Sequence, residues 1–348
     1  YIVGGLPRMP STKGLVRELN DNPSLCELCG FETIGHAGNL PRYRIPSRRT
    51  FGRVFKQLQQ PEFLRLIEEC MAELTLSMLE QVPDLGRDLA IDSTTIRTYA
   101  NRRNGKDPEA SFGFKHSVKA ETGSERVLGY KYHVLSDYRG YFITGIFTTG
   151  SQHDSPMLVK LMKKMRRLFR DRIKPRTLAG DKAYDSNANY EFAHSNGIAL
   201  LTPLRRLPKN ELRDGRYTDD GVPTCHGLVM EHVRTDPETG KRLYRCPVDG
   251  HIPEGQMLPC AGEVEIDPTD NIRLFGGTIR RGSPEWDDKY EGRQGVERLF
   301  AWWKDRSLEE HYFRGEANVK LHTLLTVMAY LALQLAQLSG AVLVDKAA

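Results

Sequence analysis

Apolar residues recur along this chain with two different periods. In SRRTFGRVFKQL, Phe51, Val54, Phe55 and Leu58 stand at i, i+3, i+4 and i+7, which predicts a helix capped by Ser47. Pro61 opens a longer helical pattern, PEFLRLIEECMAELTLSMLEQV, at a first position that proline favours. Shorter helical patterns cover Thr12 to Asn20 and Asn22 to Gly30, so residues 1–84 read as an α-helical N-terminal domain. From residue 87 the texture changes. RDLAIDSTTI is a short apolar run closed by Asp92, and RTLAGDKAYDS is another, ending on Asp181. GYKYHVLSD and GYFITGIFTTG are strands on either side of a turn at Asp137 to Gly140. Ser155 to about Asp171 is helical with Asp154 as its cap, and a helix through Asn187 to Ser195 leads to the strand IALLTPL. The basic, glycine-rich stretch from Ala100 to Gly123 reads as loop. Strands alternating with helices over residues 85–205 predict an α/β mixed sheet with flanking helices.

Residues 206–289 break that alternation. Gly, Pro and Asp abound, and GLVMEHV, KRLYRC and IRLFGG read as short β-like runs. DPETG is a turn signal that folds Val233 to Tyr244 into a hairpin. This segment reads as a β-rich insertion, and residues 290–348 then complete the core with C-terminal helices.

The stretch YEGRQGVERLFAWWK, Tyr290 to Lys304, reads as one helix. At about 100° per residue, Tyr290, Arg293, Glu297 and Lys304 fall within an arc of roughly 60°. Val296, Leu299, Phe300 and Trp303 face the other way, as a helix packed on a core requires. A carboxylate, two cations and a phenol on one face suit a grip on phosphate and metal together. An ordinary solvated face with an Arg293–Glu297 pair at i,i+4 fits the same spacing.

Composition narrows this little. The chain has 348 residues, 39% hydrophobic and 27% charged, with a net charge of +5, which permits a polyanionic partner without requiring one. The placement of charge says more. Arg97, Arg102, Arg103 and Lys106 form one basic cluster. Lys160, Lys163, Lys164, Arg166, Arg167, Arg170, Arg172 and Lys174 form another. Nucleic-acid binders carry such clusters, and so do solvated helix faces. The basic helix with Arg48, Arg49, Arg53 and Lys56 suits a helix-turn-helix-like DNA-binding head, or a helical packing unit. The longest apolar run, Leu324 to Leu338, contains glutamines and reads as a buried terminal helix. The chain carries no basic-then-apolar leader, so a cytoplasmic protein with no membrane partner is expected. It opens on Tyr1 rather than Met, which leaves room for residues before it.

Asp92 and Asp181 share one context, an apolar strand followed by small or polar residues. Sites in mixed α/β sheets gather at strand ends, so the two acids are expected side by side. Close carboxylates repel unless a cation lies between them. With Glu297 they make three hard oxygen donors, a set for Mg²⁺ or Mn²⁺, two ions being expected. Such ions support in-line attack on a phosphodiester. Arg293, through its fork, and Lys304, as a point charge, would hold the flanking phosphate. Cys26 and Cys29 have a metal or redox spacing but no second pair nearby, and read as packing in a short helix. Cys225, His226, Cys246, His251 and Cys260 have long gaps between them, so free buried cysteines are expected there and a structural zinc is not.

Asp92 after LAI, Asp181 in GDKAYDS, and the series Tyr290-x2-Arg293-x3-Glu297-x6-Lys304 resemble the catalytic core of bacterial insertion-sequence DDE transposases. The closest resemblance is to the subgroup with the Y-x2-R-x3-E-x6-K signature and a β-rich insertion before the third acid. It covers about 87–205 and 290–336, and LCELCGF, IPSRRTFGRVF and PEF resemble the leading domain of such proteins. The resemblance implies a ribonuclease H-like core. It implies an enzyme that cuts double-stranded DNA at the terminal inverted repeats of its element. The freed 3′-hydroxyls are then joined to target DNA within a homodimeric synaptic complex. It implies Asp92, Asp181 and Glu297 as metal ligands, with Tyr290, Arg293 and Lys304 on DNA phosphate. Lys182 and Tyr184, beside Asp181, would touch DNA, or Tyr184 would pack. Trp286 is a candidate base-stacking platform, against the alternative that it packs. His153-Asp154 also matches a recurrent family element, which an Asp capping the next helix would explain. A metal-dependent nuclease without strand transfer, or a transposase-derived DNA-binding protein that no longer cuts, remain the competing readings.

Overall fold

Leu89, Ala90 and Ile91 are fully buried at the start of β3 (Asp88–Arg97), and the main core is laid down around that strand. The computed structural model describes residues 12–100, 107–116, 123–205, 216–218, 220–248, 262–306, 308–309, 311 and 313–340. β3 pairs antiparallel with β5 (Ser124–Asp137) and parallel with β7 (Thr177–Gly180). β8 (Ala199–Leu201) adds parallel to β7. The long β5 takes two partners on its other edge. β4 (Ser111–His116) pairs with its first half and β6 (Phe142–Thr149) with its second. The result is a six-stranded mixed sheet in which β5 lies beside β3, followed by β7 and β8.

β4 departs from the expectation of a loop across 100–123. Its glycine serves close approach rather than a turn, because a Cβ on Gly113 would stand 2.5 Å from the Gly150 carbonyl oxygen. Residues 101–106, with Arg102, Arg103 and Lys106, and residues 117–122 lie outside the described residues.

The N-terminal part is helical with one exception. Helices α1 (Thr12–Asp21) and α2 (Pro23–Leu28) precede a hairpin of β1 (Thr33–Ala37) and β2 (Leu40–Tyr43). Ala37 pairs with Leu40, so Gly38-Asn39 is a two-residue loop, and Gly38 has the positive φ of 62° that such a turn demands. Cys26 is buried here, and its thiol donates to the Leu19 carbonyl. α3 (Arg48–Leu58) starts where expected, with the Ser47 hydroxyl accepting from the Thr50 amide. Its Arg48, Arg49, Arg53 and Lys56 are exposed, while Phe55 is buried against Phe313.

α4 (Pro61–Gln81) packs into the main core, not with α1 and α2. Its Ile67, Met71 and Met78 join Leu321, Leu324 and Val327 of α10 (Glu316–Leu338). By length and composition α10 could cross a membrane, longer than the apolar run read from the sequence, but in this fold much of it is buried in protein. α5 (Met157–Phe169) and α6 (Asn187–His194) connect β6, β7 and β8.

The insertion holds a small hairpin, β9 (Thr224–Cys225) with β10 (Leu228–Val229). Beside it is a three-stranded antiparallel sheet of β11 (Glu231–Thr235), β12 (Arg242–Arg245) and β13 (Glu263–Ile266). The β11–β12 pair is the hairpin expected around DPETG. IRLFGG, read as β-like, forms the helical turn α7 (Ile272–Phe275). Asn271 caps its start, and Gly276, at φ 76°, ends it. The buried Arg242 guanidinium donates to the carbonyls of Phe275 and Gly277, tying this turn to the sheet.

The single helix expected over Tyr290 to Lys304 is broken into α8 (Pro284–Glu291) and α9 (Gln294–Asp305). The break follows from packing. A Cβ on Gly295 would stand 2.2 Å from the Tyr138 carbonyl oxygen, and one on Gly292 would stand 2.9 Å from the Tyr138 Cβ. The β5–β6 turn therefore presses directly on the helix junction. Val296, Leu299, Phe300 and Trp303 are buried, as expected.

Gly295→Ala should therefore lower stability by about 2–3 kcal/mol, since the added methyl meets backbone that cannot yield. Gly52→Ala, in α3 with nothing within 4 Å of its Cβ position, should raise stability by about 0.5–1 kcal/mol. Urea-unfolding midpoints of the two variants check both signs.

Candidate active site

The parallel register of β3 and β7 sets Ile91 opposite Gly180. The next residues along, Asp92 within β3 and Asp181 just past the end of β7, are therefore neighbours. Gly180 permits this closeness, because a Cβ there would meet Ile91 Cγ2 at 2.9 Å. Asp92 does not end its strand, as the sequence suggested. β3 runs on to Arg97, with Thr94 and Ile96 buried at alternate positions and paired to β5. Asp181 does follow the last residue of β7. Its carboxylate accepts from the Ala183 amide and caps a short turn of 3-10 helix, Lys182–Tyr184.

Arg293, at the start of α9, links two of the three acids. One guanidinium nitrogen lies 3.6 Å from Asp92 Oδ2, and another lies 2.7 Å from Glu297 Oε1. The i,i+4 pair allowed by the spacing is thus present, and the same guanidinium reaches the strand acid. Asp92 is 22% exposed and Glu297 50%, so the strand acid is recessed and the helix acid faces outward. Among the described residues, the three carboxylates do not all come within 4.8 Å of one another.

Burial pushes the Asp92 carboxyl up to about 7, with the Asp181 and Asp154 charges adding to the rise. The Ser93 amide and Arg293 oppose it without cancelling it. Burial also raises Asp181, helped by Asp154 and opposed by the Ala183 amide, Arg293 and Lys131. Each acid is costly to ionise where it stands, which is the property of a carboxylate pair that favours a shared cation. The donors are all oxygen, so the set fits Mg²⁺ or Mn²⁺ rather than zinc.

A second cluster adjoins the first and was only partly foreseen. Asp154 is not the helix cap its position predicts, because α5 begins at Met157 without a side-chain cap. The Asp154 carboxylate instead accepts from Ser93 Oγ at 2.7 Å and from Lys131 Nζ at 3.0 Å, and lies 3.3 Å from His133 Nδ1. Burial alone would raise the Asp154 carboxyl, but His133, Ser93 and Lys131 outweigh it and hold it well below the usual range. Burial keeps His133 low and so neutral, against the pull of Asp154. Asp154 is thus a fixed anion that aligns the β3–β5 pair beside Asp92. The signal for Lys131 and His133 was their alternation with the buried Tyr130 and Tyr132 along β5.

The remaining residues expected here fall around the acids. Tyr290 lies beside Arg293, whose guanidinium carbon is 5.9 Å from the ring centroid. Lys182 is exposed next to Asp181, and Lys304 is half-buried further along α9. Tyr184 is fully buried and packs in the core. His153 is exposed. Trp286 differs from the base-platform expectation. It is buried against Ala179 and Leu201 and stacks on Tyr290 at 4.5 Å between centroids. A nucleobase cannot take that face while Tyr290 occupies it, so the ring serves to hold Tyr290.

Residues 84–332 match the family described as the transposase DDE domain. Comparison with curated proteins finds no match. Among solved structures, a piggyBac transposase synaptic complex with hairpin DNA aligns at 14% identity with a TM-score of 0.40. The alignment covers 97% of this chain and 66% of that one. A Mos1 transposase paired-end complex with left transposon end aligns at 12% identity and a TM-score of 0.22, over 87% of this chain and 79% of that one. Likeness at these scores carries no weight here.

The raised Asp92 carboxyl has a measurable consequence in chelator. A carboxyl raised on folding contributes stability that is complete below its unfolded value and lost as pH rises through about 7. Asp92→Asn cannot ionise, so its melting temperature should exceed that of the wild type at about pH 8 and match it near pH 4. Melting curves across that range, facing Asp181, Asp154 and Arg293 unchanged, check the crossover.

Proposed function

The chain belongs to the transposase DDE domain family, and from that premise we propose that it is a DNA transposase of the bacterial insertion-sequence kind. It cuts double-stranded DNA at the terminal inverted repeats of its element and joins the 3′-hydroxyl ends to target DNA. The observation that carries this reading is the register of the parallel strands β3 and β7, which brings Asp92 and Asp181 together where β7 ends, with one guanidinium spanning Asp92 and Glu297.

DDE transposase domains use divalent metal. Here Asp92, Asp181 and Glu297 would hold Mg²⁺ or Mn²⁺, which polarises the phosphodiester and lowers the cost of forming the attacking oxyanion. The chain's own residues do the rest. Arg293 offers a planar fork that a phosphate oxygen can take from the carboxylates, and Tyr290 is held beside it by Trp286. Lys182 and Lys304 add point charge on either side of the acids. Asp154, clamped by Ser93, Lys131 and His133, keeps β3 and β5 in line as phosphate arrives. The exposed Lys163, Arg166, Arg167 and Arg170 of the α5 region offer backbone contacts for flanking DNA.

The strand order, with β6, β5 and β3 antiparallel and then β7 and β8 parallel, supports a ribonuclease H-like core in this reading. We assign 85–205 and 290–348 to that core, 206–289 to the insertion, and 1–84 to a leading unit whose exposed basic helix α3 meets the DNA ends. Two chains acting together on paired ends complete the synaptic assembly.

The test uses linear DNA bearing the element's ends with Mn²⁺. Wild type should nick at the element boundary and join the ends. Asp92→Asn, Asp181→Asn and Glu297→Gln should each abolish cutting, a loss of about 10³-fold or more, while end binding by gel shift persists. Breaks without joining would move the assignment to a nuclease. Binding without breaks in the wild type would move it to a DNA-binding protein, and cutting retained in any one variant would remove that residue from the site.

A further inference from the structure

The spacing of the insertion's cysteines pointed to free thiols. Folding gathers three donors that the spacing separates. The Sγ atoms of Cys225 and Cys246 and a ring nitrogen of His226 all lie within 4.8 Å of one another. We propose that Cys225, His226 and Cys246 bind a structural zinc ion that locks the β-rich insertion.

Each donor is delivered by a distinct device. Cys225 ends β9 and pairs with Leu228, so His226-Gly227 is the two-residue loop of the hairpin. Their φ angles are 54° and 75°, the left-handed pair of a type I′ turn. Among the described residues only Arg170 and His226 are non-glycines in that region. A strained residue persists where something compensates for it, and a bound ion would do so. Cys246 follows β12 and is buried, and its amide donates to the Gly262 carbonyl, so the chain closes back on β13 there.

His226 supplies a second, independent observation. Its Nε2 is buried and has no hydrogen-bond partner among the described residues. Apolar packing of two thiols leaves such a nitrogen with a desolvation cost and nothing in return. A metal ion satisfies it. Two thiolates and an imidazole are borderline-soft donors, which select zinc over magnesium, and a water would fill the fourth position of the tetrahedron. On binding, each thiol gives its proton to solvent and both pairs of electrons go to the ion.

The insertion needs such a clamp. β9 and β10 are two residues each, and the local core is small, centred on Tyr244, Ile266 and Phe275. Cores of this size rarely hold a fold unaided. Zinc would join the Thr224–Val229 hairpin to the β11–β12–β13 sheet. Through Arg242, that order extends to the α7 turn at Phe275 and Gly277.

The full chain is purified, its bound zinc measured, the metal removed with chelator, and Co²⁺ then titrated in. The expected result is one equivalent of zinc, and thiolate-to-cobalt charge transfer with the visible bands of tetrahedral cobalt. Cys225→Ser, Cys246→Ser and His226→Asn should weaken cobalt binding at least tenfold. Asn is chosen because it tolerates the turn. Asp92→Asn should keep the thiolate bands in full, which separates this site from the acidic one. If a variant misfolds, the wild-type spectrum decides alone. Wild-type protein that gives no thiolate bands, and whose thiols react freely with a thiol reagent in excess zinc, overturns the proposal. So does full cobalt binding in a folded Cys225→Ser protein.

Discussion

Like charges on neighbouring strands are the constraint around which this molecule is arranged. The parallel register of β3 and β7 sets Asp92 next to Asp181. Asp92 is recessed, and the Asp181 charge adds to the cost of ionising it, while burial and the Asp154 charge raise Asp181. The fold answers with a guanidinium from α9 and, one layer behind, with Asp154 fully committed to Ser93, Lys131 and His133. An arrangement that costs stability and is held in place from several elements is typical of a site rather than a scaffold.

What holds α9 over the sheet is the β5–β6 turn. The buried Asp137 accepts from the Gly86 amide and from Arg139, which also reaches Asp84. The turn so fixed lets Tyr138 and Gly140 press against Gly292 and Gly295. The same contact bends the chain between α8 and α9 and puts Arg293 at the first turn of the second helix, where its side chain can reach both Asp92 and Glu297. Tyr330 and Gln334 of α10 hydrogen-bond the Gly140 carbonyl from the other side. The sheet, the turn and the two C-terminal helices therefore act as one rigid support for the acids.

Much of this was legible in the chain, for reasons that differ by residue. The Ser47 cap, the proline-led helix at Pro61 and the strand pair around Asp137 to Gly140 are local signals, and local signals survive folding. Asp181 was readable because β7 is short and stops there. The strand β4 was not, because glycine in a basic stretch looks like loop until Gly150 is seen lying against it. The β1–β2 hairpin was overlooked although Gly38-Asn39 is a recognised turn pair. The break after Glu291 and the true role of Asp154 depend on partners far along the chain, Tyr138 in one case and Lys131 and His133 in the other. Periodicity carries no information about such partners.

The central claim is that three acids from distant parts of the chain make one divalent-metal centre. Crystals grown with Mn²⁺ and measured for anomalous scattering test it directly. The account predicts a peak shared by Asp92 and Asp181 at about 2.1 Å from their oxygens, with Glu297 turned toward it and Arg293 released from Asp92. A map with no peak there, and Arg293 still bridging Asp92 and Glu297 in excess Mn²⁺, would contradict it.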